Sequence, residues 1–382
     1  MDRMNINTKL LLFLVIAIIS ATLVCGCMSS NQTVQSSEDQ STSISSITVT
    51  DLIGREVEIP TQINSVVPIA QGSTRVFSYL DAIDLIKGKS ETENKSFSKY
   101  PYLAAHPELK ELPIVDAGGA GTPYLEEIVK VSPDLIVASY FDVETADELQ
   151  AKTGVPVVVI KPGVGRIGFI DYMDDSNDLY LSLDLIAKTI GKEERAEELK
   201  SYIKSLVTDL EERTDDISDD EKVPVYVGGL SKQGAFGLAS TQIKYPPFVW
   251  TNADNVASGV ESASNTIEIS KEQIIGWDPS VIFADVSNIV LIQDELASGI
   301  YDSVKGVDEG EIYGVLPYPG YGLNHELIFA DSYYVGSVLY PDNFSDVDVV
   351  TVSDEIMKEF NGEGAYSTIT KKTGGFGKIT AN

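Results

Sequence analysis

The stretch LEEIVKVSPDLIVAS (125–139) returns at a constant offset as KEQIIGWDPSVIFAD (271–285). Glu126 falls on Glu272, Ile128 on Ile274, Pro133 on Pro279, Ile136 on Ile282 and Ala138 on Ala284. In each copy a helical spacing of apolar residues runs into a Pro-containing turn and then a short apolar run, the pattern of a helix feeding a buried strand. Such a strand needs cover on both faces, so two copies far apart in one chain predict two similar α/β lobes with parallel sheets.

The surrounding segments agree. ITVTDLIGREVEIP (47–60) predicts a β-hairpin around Ile53-Gly54. INSVVPIA (63–70), DLIVASY (134–140), VPVVVI (155–160), VPVYVGG (223–229) and SVIFADV (280–286) predict strands. STRVFSYLDAI (73–83) and VETADELQAKTG (143–154) predict helices, as do TPYLEEIVKV (122–131), with Thr122 as cap and Pro123 first, and SKEQIIGW (270–277), with Ser270 and Gln273 as a capping box. From about Phe169 to Asp215 the alternation stops. Residues 177–216 keep helical spacing throughout, which predicts one long helix, or two in tandem interrupted at Gly191. The expected architecture is α/β: two Rossmann-like lobes, 47–168 and 216–382, joined by a single long helix in 169–215, with a ligand cleft between them.

The N-terminus carries Arg3 and Lys9 and then an apolar run, Leu10 to Val24. That run is shorter than the roughly 20 residues needed to span hydrocarbon and fits an export signal. Leu23-Val24-Cys25-Gly26 before Cys27 resembles a lipoprotein processing box, so residues 1–27 are expected to be a signal whose cleavage leaves Cys27 to be lipidated. An uncleaved signal anchor is the alternative, and either places the remainder outside the cytoplasm. Residues 28–46 are rich in Ser, Thr and Gln and read as a flexible tether. Asn31, Asn94 and Asn343 each open an N-x-[ST] sequon. With 58 acidic against 28 basic residues the net charge is −30, which argues against nucleic-acid partners.

The order and spacing of ITVTDLIGREVEIP, SVVPIAQGSTRVFSYL, YLEEIVKVSPDLIVAS, KTIGKEERAEELKSYI, VYVGG, STQIKYPPFVW and FADSYYVGSVLYPDNF resemble the substrate-binding lipoproteins of ABC importers for iron complexes, haem and cobalamin. The likeness covers residues 47 to about 365 and implies two α/β lobes bridged by one long helix. It further implies an ABC permease and its ATPase as partners. Glu126 and Glu272 match the glutamates that dock into arginine pockets of the permease. Their bland reading is stabilisation of a helix N-terminus by an acidic side chain.

Ligand contacts are expected from loops at the C-terminal ends of strands. In the first lobe these are Gln71, Ser73, Thr74, Arg75, the glycine-rich turn with Gly119, Gly121 and Thr122, and Tyr140. In the second lobe they are Lys232, Thr241, Gln242, Tyr245, and the Pro/Gly-rich loop with Tyr318, Tyr321, Asn324 and His325. Aromatic faces with a few polar groups suit a bulky chelate, and Arg75, Lys232 or Lys244 would pair with its carboxylates or phosphate. Tyr318, Tyr321 or His325 are the candidates for touching Fe(III) directly. The chain has only two histidines, so recognition of a whole complex ranks above a protein metal cage.

No G-x-S-x-G and no H-E-x-x-H occurs, and TGGFGKIT (373–380) has Lys372 where a phosphate loop needs Gly. The expectation is therefore a monomeric, membrane-anchored, extracytoplasmic solute-binding protein. It has no cofactor and is not an enzyme, and it captures an iron(III)-siderophore or similar metal complex. Cobalamin or haem is the alternative ligand; a tethered sensor or hydrolase is the alternative class.

Overall fold

The structure, a computed structural model, describes residues 45–163, 169–230 and 237–381. Cys27, Asn31, most of the tether and Lys232 lie outside the described residues. Among those described, no helix is long and apolar enough to cross a membrane.

The chain opens with the expected hairpin. β1 (Ser46–Thr50) and β2 (Glu56–Pro60) pair antiparallel with Val49 opposite Val57, and Gly54 takes φ 84° in the turn. The first lobe continues through β3 (Val66–Ile69), α1 (Ser73–Tyr79), β4 (Lys89–Ser90), α2 (Glu91–Asn94) and α3 (Pro101–Ala105). It is completed by β5 (Ile114–Asp116), α4 (Leu125–Val131), β6 (Leu135–Ser139), α5 (Val143–Thr153) and β7 (Val157–Ile160). β3, β6 and β7 form a parallel sheet in that order, and every one of their residues is buried, as continuous apolar runs covered on both faces require.

The connector holds two helices, α6 (Asp178–Ile190) and the 20-residue α7 (Glu193–Glu212). Gly191 ends the first in the left-handed region at φ 72°, a conformation that costs glycine no Cβ clash. The chain then turns back: Lys200 Nζ reaches Asp184 at 2.7 Å, and Lys204 reaches Asp175. The two-helix alternative interrupted at Gly191 is the one the structure shows, and these pairings, converging on Gly191, fold α7 back antiparallel to α6.

The second lobe runs through β8 (Pro224–Gly228), β9 (Ser240–Gln242), α8 (Pro246–Trp250), β10 (Asp254–Asn255), β11 (Thr266–Glu268), α9 (Lys271–Trp277) and β12 (Val281–Asp285). Then come α10 (Ile289–Ala297), α11 (Lys305–Asp308), β13 (Ile312–Val315), α12 (His325–Leu339), α13 (Val349–Asn361), α14 (Tyr366–Thr370) and β14 (Gly377–Lys378). Its sheet is ordered β10-β8-β12-β13-β14, parallel except for the last strand.

The repeat is borne out in detail. α4 and α9 each bury one isoleucine completely, Ile128 and Ile274. Each ends on a non-glycine residue in the left-handed region, Ser132 (φ 52°) and Asp278 (φ 48°), before the proline and the strand. One detail differs from expectation. Thr122 is exposed and does not cap α4, because Pro123 bridges Asp116 and Tyr124 N–H bonds Val115 O, holding the chain extended until Leu125.

Strand alternation divides the core. Val67, Ile69, Ile136 and Val159 face an outer cluster with Ile128 and Leu149; Tyr226, Ile282 and Ile312 face another with Ile274 and Ile292. The opposite faces, Val66, Val137 and Val158 in one lobe and Val225, Phe283 and Val315 in the other, share one inner cluster with α7 and α12. α12 is buried from His325 through Gly336, so its apolar residues fall on every side and its few polar ones, His325, Glu326, Asp331 and Ser332, are covered with them.

Candidate functional site

β3 delivers the chain to Ala70-Gln71-Gly72 and then α1, where Arg75 is 2 % exposed. Burial on this scale is rare for arginine without a paired anion. Arg75 Nη2 donates to Asn324 Oδ1 at 3.0 Å, Tyr321 O at 3.2 Å and Gly320 O at 3.3 Å, all from the loop leading into α12. Its guanidinium lies 4.7 Å over the Tyr102 ring. Arg75 Nε and Nη1, which carry three N–H donors, have no partner among the described residues. A buried donor left unmade costs roughly 1–3 kcal/mol, so three of them mark a place prepared for an acceptor.

The two lobes meet here by backbone. A Cβ on Gly322 would lie 3.0 Å from Arg75 Nη1 and 3.5 Å from Gly72 Cα, and one on Gly72 would strike Pro162 at 2.9 Å. Three non-glycine residues around the junction hold positive φ: Ala70 (68°), Tyr140 (59°) and Tyr321 (49°). Such strain persists where the surroundings overdetermine it and gathers at ligand sites. Among the described residues the buried Tyr140 hydroxyl has no partner, and the Tyr321 hydroxyl, near Ser90, makes no hydrogen bond of normal geometry. Burial pushes both phenols well above their ordinary range, so both remain hydrogen-bond donors. A cavity of about 570 Å³ lined by Tyr140, Lys161, Gly163 and Asp178 adjoins the junction.

The α12 N-terminus is pinned to the first lobe. His325 Nε2 bonds Pro162 O at 2.9 Å and so carries the proton; its Nδ1 accepts from the Tyr172 hydroxyl at 2.5 Å. Burial pulls its pKa down to about 3, so the ring is neutral. With both nitrogens engaged, His325 is not free to ligate a metal. Tyr318 is likewise committed, donating to Gln242 Oε1 at 2.5 Å. Among the described residues no group of three His, Cys, Asp or Glu side chains could hold a metal ion.

The structure thus brings Arg75, Tyr140, Tyr321 and Asn324 together. Ser73 is buried one turn away, bonded to Ile69 O and Ser139. Thr74 is buried beside it, and Gln71 is half-buried. Gly119 and Thr122 are exposed, and Gly121 is the glycine its turn demands: a Cβ there would strike Ala70, Ile69 and Phe141. Thr241, Gln242 and Tyr245 lie inside the second lobe, Gln242 holding Thr266 Oγ1 and Tyr245 facing Asp331 Oδ2 at 3.5 Å. Glu126 and Glu272 are exposed in the first turns of α4 and α9. Of the two described sequon asparagines, Asn94 is exposed, whereas Asn343 Nδ2 is bonded to Arg213 O at 2.7 Å. Sequence reading passed over Tyr102, Tyr172, Asp116 and Glu326. Glu326, a carboxylate at the start of a mostly apolar run, was the one with a legible signal.

Residues 69–314 match the family model described as periplasmic binding protein. This chain belongs to the periplasmic binding protein family. As the resemblance implied, this binding protein has relatives among ABC-importer components. It is 23 % identical over 325 residues to the molybdate-binding protein MolA of Haemophilus influenzae, covering 82 % of this chain and 90 % of MolA. The structure of MolA bound to molybdate superposes with a TM-score of 0.65 at 20 % identity, covering 83 % of this chain and 98 % of the other. An uncharacterized ABC transporter substrate-binding lipoprotein, YvrC of Bacillus subtilis, is 21 % identical over 55 % of this chain and 60 % of its own length. A periplasmic solute binding protein from Veillonella parvula aligns with a TM-score of 0.67 at 20 % identity, over 85 % of this chain and 96 % of that one. The protein is a solute-binding component of an ABC transporter, working outside the cytoplasm with a permease and an ATPase, and not an enzyme.

Proposed function

We propose that this binding protein captures a small tetrahedral oxyanion of the molybdate kind at Arg75 and delivers it to its permease. The observation that carries the reading is the buried guanidinium at the lobe junction with three N–H donors unmade. The N-terminus of the 15-residue α12 adds positive potential beside it. Tyr140 and Tyr321 supply hydroxyl donors from opposite lobes. The relative named for molybdate supports the same class of solute. An iron(III)-siderophore, cobalamin or haem needs a wide groove, and Gly72 and Gly322 approach so closely that a Cβ on Gly322 would lie 3.5 Å from Gly72 Cα. Anchoring through lipidated Cys27 and docking through Glu126 and Glu272 belong to the same proposal.

Calorimetry with molybdate, tungstate, sulfate, a ferric siderophore, cobalamin and haemin tests it. Molybdate or a close analogue is expected to bind. Arg75→Gln is expected to weaken binding at least 100-fold, since charge-assisted bonds to a buried anion are worth several kcal/mol. Heat with the chelates alone overturns the oxyanion assignment.

A further inference from the structure

Among the described residues no cation is bonded to the buried carboxyl of Glu326. It sits in the first turn of α12, fully covered, with Oε2 accepting from the Tyr79 hydroxyl and Oε1 from Asn361 Nδ2 at 3.2 Å. Arg75 stands one turn before Tyr79 on α1 and gives its Nη2 to the loop at 320–324, making no ion pair with Glu326. The two groups therefore share one low-dielectric interior without an ion pair, burial raising the Glu326 carboxyl against the lowering effect of Arg75, and each is sensitive to any third charge placed between the lobes.

Among the described residues few groups stand around Glu326. From α1 they are Arg75 and Tyr79; from the segment before α6, Tyr172. From α7 comes Arg195, whose Nε holds Tyr79 O and whose charge is matched by Asp81 and by Glu359 of α13. On α12 itself they are the neutral His325 and, farther along, Asp331, which is bonded to Leu316 N and faces Tyr245. Behind Asn361, Ser78 Oγ donates to Asn361 Oδ1 at 2.8 Å, and His106 Nε2 lies 3.1 Å from Ser78 Oγ with Glu108 at its other nitrogen. A cavity of about 540 Å³ lined by His106, Gly362, Asp84 and Lys87 lies against Asn361, which is itself fully buried.

We propose that Glu326 is the proton-linked counter-charge of the anion site. Its carboxyl is ionised while Arg75 is unoccupied, and it takes up one proton from solvent when a dianion pairs with Arg75. The inference rests on the reading of Arg75 as an anion site. The balance is simple: the empty site holds +1 and −1, the dianion adds −2, and one proton leaves a net −1 instead of −2. Tyr79 suits both states, since its hydroxyl can donate to the carboxylate and accept from the carboxylic acid. The sign follows. An incoming negative charge makes ionisation of Glu326 harder, so binding consumes a proton and affinity rises as pH falls. Glu326 thereby discriminates by charge: a monoanion that merely neutralises Arg75 gives it less reason to protonate.

The test is calorimetry of the full chain with molybdate at neutral pH in two buffers of different ionisation enthalpy. The unaltered protein is expected to show a buffer-dependent heat corresponding to nearly one proton taken up per molybdate. Glu326→Gln is expected to bind with no buffer dependence. Binding without proton uptake, or uptake that survives in Glu326→Gln, overturns the linkage alone. No heat with any oxyanion overturns the anion site and the linkage together. Should Glu326→Gln not fold, the unaltered chain still decides. Its Kd for molybdate is expected to fall by up to about tenfold per unit as pH is lowered from about 8 to about 6. A flat profile overturns the proposal.

Discussion

Asp285 closes β12 just as Asp116 closes β5, and both carboxyls are buried at the C-terminal ends of their strands. Asp116 receives the N–H groups of Ala70 and Gly118; Asp285 receives Ser287 N–H on Oδ1, while its Oδ2 has no partner among the described residues. Burial pushes each up to about 6, against the lowering effect of those N–H bonds. A carboxyl raised on folding stabilises the protein fully below its unfolded pKa of about 4 and loses that contribution as pH rises through about 6. Asp285→Asn is therefore expected to gain about 1–3 kcal/mol over the unaltered chain at pH 7 and almost nothing at pH 4. Urea melts at the two pH values check it, and an equal effect at both refutes the assignment. At this scale the sequence is only half legible. Arg75, Tyr321 and Asn324 could be picked out because polar residues after a strand or inside a Pro/Gly loop advertise themselves. That Tyr318 and Gln242 spend their polar atoms on each other could not, because the partner comes from 76 residues away.

The helix-turn-strand unit was readable because all its determinants are local: a buried isoleucine, a proline and an apolar run within 15 residues. The same local character exposes Glu126 and Glu272 at equivalent places on two equivalent helices, which fits a partner that offers two equivalent surfaces. Neither glutamate takes part in the Arg75 junction. Reversing both, Glu126→Lys with Glu272→Lys, is expected to abolish solute uptake in cells while calorimetric binding stays within about twofold; uptake at the unaltered rate removes them from the docking surface. Two elements were less legible, for opposite reasons. α12 has no amphipathic period because it is covered all round, so periodicity has nothing to report. For α6 and α7 the period was clear, but the direction of the second helix depends on the left-handed turn at Gly191, which only a Lys200–Asp184 pairing reveals.

At the scale of the molecule, the two sheets do not stand apart on a stalk. Their inner faces share one core around α12, and the bonds across the junction are specific: Arg75 to Asn324, His325 to Pro162 and Tyr172, Tyr79 to Glu326. A wide hinge opening would have to break all of these and strip the shared core, exposing apolar surface at about 25 cal/mol per Å². Lifting the tip of the 316–324 loop, residues 320–322, breaks the Arg75 bonds to Gly320 O and Tyr321 O and the Gly72–Gly322 approach, the groups a solute must reach, while leaving Tyr318–Gln242 and Leu316–Asp331 made. Solute entry through that loop is therefore the less costly route. Small-angle scattering is expected to show almost the same radius of gyration with and without molybdate. Hydrogen exchange is expected to slow on binding at residues 318–324 and little elsewhere. A large contraction, with protection spread through the shared core, would mean that the lobes separate as whole bodies and that the junction seen here is only their closed state.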